Sequence, residues 1–113
     1  MARIAEYSFG RVVVDGREET RDVIVLPERV VREWWRRDGH GLVLEDLESV
    51  LDELPQRLIV GTGAYGRLRP DPDALEALRR RGVEVEVLPT GEAVSRYEAL
   101  NPAETAAALH LTC

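Results

Sequence analysis

Few residues in this chain are of types that do chemistry, and they fall into two groups. The first is Gly61-Thr62-Gly63 with Gly66, which follows the apolar run Arg57-Leu58-Ile59-Val60, so that a buried strand delivers a glycine-rich loop. The second is Trp34-Trp35-Arg36-Arg37 followed by Asp38-Gly39-His40, an aromatic and basic cluster running into a loop of mixed charge. Gly61-x-Gly63-x-x-Gly66 has the form of a dinucleotide fingerprint, in which a helix begins within the glycine run and its N-terminus meets the pyrophosphate. Here Arg67-Leu68-Arg69-Pro70 intervenes before a helix can start at Asp71-Pro72, so the spacing points instead to a structural turn or to a loop for a small anion, with Arg67, Arg69 and backbone N–H groups as donors.

Other chemistries lack parts. His40 and His110 are the two histidines, and Ser8, Ser49 and Ser95 fall in a strand and two helices with no nucleophile-elbow pattern around them. The sole cysteine, Cys113, is the last residue, which excludes an intrachain disulfide and a cysteine-rich metal site. All 15 basic side chains are arginine, so a phosphate-loop lysine and a Schiff-base lysine are both missing. We therefore expect no metal and no cofactor. Trp and Arg are enriched at interaction hot spots, and the cluster at 34–37 reads either as one buried indole beside an exposed salt-bridged rim or as a surface that meets a partner.

The elements that must position these residues follow from periodicity. Ala5, Tyr7 and Phe9 alternate with Glu6 and Ser8 as in a strand with one buried face, and Val12-Val13-Val14 forms the next strand before the hairpin turn Asp15-Gly16. The chain from Arg17 to Leu26 reads as one long strand stopped by Pro27, and Val30-Val31 as an extended piece running into Trp34-Trp35. Leu44, Leu47, Val50, Leu51 and Leu54 recur at helical spacing. A second helix over 72–81 has Asp71 as N-cap, Pro72 at its first position, Leu75 and Leu78 facing inward and Gly82 as its stop. Val83–Leu88 completes a strand-helix-strand unit, in which Gly61-Thr62-Gly63 and Pro89-Thr90 leave the same carboxyl edge of a sheet. Thr90 is suited to cap a third helix with Ala93, Val94, Tyr97 and Leu100 on one face. The tail over 105–112 is ambiguous: its alanines favour helix, while the Leu109/Leu111 alternation suits a strand.

At 113 residues the chain is sized for one domain. A net charge of -6 and a pI near 5.0 argue against nucleic acid or an anionic membrane as partner. No run approaches the roughly 18 apolar residues of a membrane span, and Met1-Ala2-Arg3 leads into mixed polar sequence, so a cytoplasmic protein is expected.

The combination Trp34-Trp35-Arg36, Gly39-His40, Asp46-Leu47, Gly61-Thr62-Gly63, Pro89-Thr90 with Ala93 and Tyr97, and Leu109-His110-Leu111-Thr112-Cys113 resembles the Mth-nine-three-eight-like domain family over nearly the whole chain. Glu98, where the family commonly has asparagine, and the short Asn101–Glu104 connection depart from it. The resemblance implies a single three-layer α/β domain, with an N-terminal β-meander, βαβ units and a mixed central sheet whose last strand, formed by the tail, is antiparallel to its neighbours. It supplies no catalytic residues. Its eukaryotic members point to assembly or adaptor work with a protein partner. The alternative is a small-anion or metabolite site, possessing a wall drawn from Trp35, Arg36, His40, Gly61, Thr62, Gly63, Arg67, Pro89 and Thr90, where free N–H groups of the helix begun at Thr90 would meet the anion.

Overall fold

In the computed structural model, which describes residues 3–113, Asp15 (φ 52°) and Gly16 (φ 79°) both take the left-handed conformation that a two-residue hairpin needs. Met1 and Ala2, which begin the polar N-terminus, lie outside the described residues. The turn pairs β2 (Arg11–Val14) with β3 (Arg17–Glu19), and β1 (Ile4–Ser8) pairs antiparallel with β2 on its other side. This is the expected meander, with two differences. Glu6 has φ 50° at an irregularity between Ala5 and Ser8, which breaks the alternation; Phe9 lies in the turn and is 58% exposed. The Arg17–Leu26 stretch is two strands in two sheets, because β3 ends at Glu19 and β4 (Val23–Val25) begins after a break containing Asp22.

The central sheet joins β4 to β5 (Val30–Val31), β7 (Arg57–Thr62), β9 (Glu84–Leu88) and β10 (Thr105–His110) in the order β5-β4-β10-β7-β9. A two-residue parallel pair, β6 (Gly41–Leu42) with β8 (Arg69–Pro70), lies outside it. The alanine-rich tail is thus the middle strand, buried at all six positions. Ala107 and Leu109 face one core with Ile59, and Ala106 and Ala108 face the other with Leu58 and Val60. Six residues are too few to hold a helix without tertiary support, whereas the strand pairs with β7 along all six positions and with β4 at Ala107, Ala108 and Leu109. β10 is antiparallel to β4 but parallel to β7, which corrects the expectation that it opposes all its neighbours. The reason is the helical crossover before it, which returns the chain in the direction of β7 and β9.

Helix α1 (Pro72–Arg80) starts as expected: Asp71 accepts a hydrogen bond from the Asp73 N–H, and Gly82 (φ 86°) follows its end. The segment Leu44–Glu53 is a 3-10 helix rather than an α-helix. Leu44, Leu47 and Val50 recur every three residues, so three residues per turn stack them on one line against the core. Helix α2 (Thr90–Glu98) packs with the meander on one side of the sheet, and α1 and the 3-10 helix on the other, giving three layers.

Candidate functional site

The carboxyl edge of β7 and β9 is filled by the chain itself. Gly61 lies where a Cβ would approach Thr90 Oγ1 and Leu109 Cδ2 to 2.9 Å, and Gly63 (φ 101°) where one would sit 2.6 Å from the Cys113 carbonyl carbon. Both glycines therefore serve close backbone approach. Thr90 is the first helical residue rather than the cap, Pro89 being at the cap position, because the buried Thr90 hydroxyl is used across the sheet. It accepts from the Gly63 N–H (2.8 Å) and donates to the His110 carbonyl (2.6 Å), while the Thr90 N–H donates to the Gly63 carbonyl (3.0 Å). Thr62 Oγ1 donates to the Leu88 carbonyl at 3.0 Å. The last residues then cross the loop: the Ala64 N–H donates to the Thr112 carbonyl (2.6 Å) and the Arg67 N–H to the Cys113 carbonyl (3.1 Å). The Arg67 side chain is exposed and Pro89 half-buried.

Beside this edge lies a polar cluster in which the half-buried Asp22 meets the buried Arg36 and His110. Asp22 Oδ2 meets Arg36 Nη1 (2.8 Å) and His110 Nδ1 (2.8 Å), and its Oδ1 accepts from the Leu111 N–H (2.9 Å). Arg36 Nη2 donates to the Gly39 carbonyl (2.9 Å), and its guanidinium carbon stands 4.7 Å from the Trp34 ring centre. A carboxylate accepts, so His110 Nδ1 carries a proton; its 3.1 Å approach to Arg36 Nη2 is then a contact between two donors, one bound to Asp22 Oδ2 and the other to the Gly39 carbonyl. Burial raises the Asp22 carboxyl, but the hydrogen bonds from His110, Leu111 and Arg36 outweigh it and hold the group below the usual aspartate value. His110 Nε2 and Arg36 Nε are buried without a protein partner. The exposed His40 stacks edge-on to His110 at 6.1 Å, with its Nε2 3.7 Å from Cys113 Sγ. Asp22 was missed by sequence reasoning, because a single aspartate within a run read as one strand carries no signal of its own.

Of the candidate wall residues, the fold brings Arg36, His40, Gly61, Thr62, Gly63 and Thr90 to this edge, joined through His110 and the C-terminal tail. Trp35 points elsewhere. Trp34 is 8% exposed and Arg36 7%, while Trp35 between them is 75% exposed. The two flanking residues are fixed: the Trp34 N–H donates to the Asp22 carbonyl (2.8 Å), its Nε1 to the Asp46 carbonyl (2.9 Å), and Arg36 is bound to Asp22. Glu33 enters this segment with φ 54°, a conformation that is unfavourable for a residue with a Cβ and is held by these bonds. A large indole is thus displayed on a rigid support. Among the described residues, no three His, Cys, Asp or Glu side chains converge as a metal site, and no helix is long and apolar enough to cross a membrane.

A β-meander and two helical layers around a mixed sheet whose middle strand is the C-terminal one, with Asp22, Arg36 and His110 locked beside a glycine loop, define a three-layer α/β class. The chain belongs to the family described as proteins of unknown function, DUF498/DUF598, whose model matches residues 4–111. A hypothetical protein of Pyrococcus horikoshii OT3 is 33% identical with a TM-score of 0.82, covering 98% of this chain and 99% of its own. The solved structure named MT938 is 30% identical over the full length of both chains, with a TM-score of 0.79. A Bordetella pertussis protein described as a Mth938-like domain shares the fold at 21% identity and a TM-score of 0.76, over 96% of this chain and 85% of its own. The Mus musculus NADH dehydrogenase (ubiquinone) 1 alpha subcomplex assembly factor 3 is 31% identical over 100 residues, 86% of this chain. The chain spans about half the length of that curated relative.

Proposed function

We propose that the protein is a non-enzymatic binding domain of the assembly type, which holds a protein partner. The observation that carries this reading is the exposed Trp35, held between two buried and hydrogen-bonded neighbours. An indole carried on backbone that its neighbours already hold in place spares the entropy of ordering that backbone on binding, which suits an interface anchor. Similarity to a protein named as an assembly factor supports the same class of work. The net charge of -6 favours a protein over a polyanion as partner, and a cytoplasmic setting accords with this reading. Affinity capture with the intact chain from cells that express it, at low salt, tests the reading. A stoichiometric protein partner is expected, and recovery of none overturns it.

A small-anion site at the glycine edge is the second reading. It is supported by His110 Nε2 and Arg36 Nε, two buried polar atoms without protein partners near the Gly61–Gly63 and Pro89–Thr90 loops. A thermal-shift screen of phosphate and small carboxylates at millimolar concentration checks this, and a flat response overturns it.

A further inference from the structure

The surface around Trp35 carries a charge pattern that specifies what kind of partner fits it. Trp35 lines an open cavity of about 580 Å³ in which Glu33, Glu45, Asp46 and Glu48 stand against one cation, Arg37. Glu45 and Glu48 also line a second open cavity of about 180 Å³ together with Leu44 and Leu51, so the two cavities adjoin at these carboxylates along the 3-10 helix, and we call them together the groove. Asp46 is partly engaged, accepting from the Val43 and Arg37 N–H groups. Glu33, Glu45 and Glu48 are exposed, and no arginine among the described residues pairs with them. The other end of the same helix is different: Asp52 is bridged by Arg81 (3.1 Å) and Glu53 by Arg29 (2.6 Å). One element therefore has its acids neutralised at one end and left unpaired at the other, where an exposed indole and two half-buried leucines adjoin them.

We infer that this groove receives a cationic, apolar segment of a partner protein, with arginine or lysine side chains set between Trp35 and the carboxylates of Glu45 and Glu48 and an aliphatic side chain on the Leu44/Leu51 shelf. An aromatic face beside carboxylates is the arrangement that holds a guanidinium, through cation–π attraction on one side and charged hydrogen bonds on the other. The unmatched carboxylates also disfavour acidic partners, which gives selectivity as well as attraction. This inference rests on the assembly-type reading above and names the chemistry of its partner.

The test uses the intact chain and two fluorescently labelled peptides, one alternating arginine with leucine and one with glutamate in place of each arginine. Anisotropy at near-physiological salt is expected to show binding of the arginine peptide alone, weakening as salt rises. Trp35→Ala, and Glu45→Lys combined with Glu48→Lys, should each weaken it by about tenfold or more. Charge reversal on the opposite layer, Glu92→Lys with Glu98→Lys, should change it by less than about twofold. Because lysine in the first turn of the 3-10 helix could disturb folding, Glu33→Gln with Glu48→Gln provides a milder pair, with an expected loss of about threefold. Equal binding of both peptides, no binding of either, or equal losses from the distal reversal overturns the inference. If a partner captured from cells is held equally well by Trp35→Ala, the groove assignment fails while the assembly-type reading stands; if the unaltered chain captures none, the reading itself fails.

Discussion

The glycine edge and the Trp35 face meet through neighbouring residues, yet they treat polar groups in opposite ways. At the glycine edge almost every donor and acceptor is used internally, by Asp22, Arg36, Thr90 and the C-terminal carbonyls. At the Trp35 face three carboxylates and a large indole are left to solvent. Arg36 belongs to the first region and Trp35 to the second, one residue apart. A motif that reads as a single cluster is thus divided by the alternation of exposure from Trp34 to Arg36, one half serving stability and the other display. The comparison teaches that arginine at a glycine-rich sheet edge need not wait for an anion; here Arg36 already has its carboxylate.

The comparison breaks first at Asp22. Replacing it with Ala leaves the Arg36 charge buried and uncompensated, and we expect a loss of about 3 kcal/mol or more in urea unfolding. Converting Asp22 to Leu and Arg36 to Met together should recover only the part of that loss due to the uncompensated Arg36 charge, since the Leu111 N–H and His110 Nδ1 still lose their acceptor. The same group gives an acid signature. The folded Asp22 carboxyl titrates below its unfolded value of about 3.9, so its contribution is complete above that pH and is lost as pH falls through the lower folded value. Asp22→Asn should therefore flatten the stability profile below about pH 4 relative to the parent.

Gly63→Ala is the next largest effect. Its φ of 101° and the backbone of Cys113 leave no place for a methyl group, and about 2 kcal/mol or more should be lost as the tail is displaced. Gly82→Ala sharpens the contrast, because φ is again positive (86°) but nothing lies within 4 Å, so only the backbone term of about 1 kcal/mol should appear in thermal melts. Smaller still is Cys113→Ser. The residue is half-buried and its role at the edge is carried by its carbonyl, so denaturation should shift by less than about 1 kcal/mol. At the far end stands Trp35→Ala, which should leave stability within about 0.5 kcal/mol while weakening capture of a partner. A large stability loss there would show that the indole belongs to the fold.

The sequence by itself determined the local elements whose signals need no distant partner. Asp15-Gly16 had to turn because both positions accept positive φ; Asp71-Pro72 had to open a helix and Gly82 to end it; the apolar run at 57–62 had to be a buried strand. It also put Trp34-Trp35-Arg36 and Gly61-Thr62-Gly63 forward, and carried the family resemblance. Only the tertiary structure decided that Ala106–Ala108 lie in the middle strand of the sheet, since three alanines state a helical preference that pairing on two edges overrules. It alone decided that the 17–26 run divides at Asp22, and that this carboxylate meets His110, 88 residues away, because nothing local to Asp22 records the partner it finds. And it alone decided which tryptophan is buried. Neighbouring indoles are identical in sequence terms, and their opposite fates are set by whether the backbone turns each toward Asp46 or toward solvent.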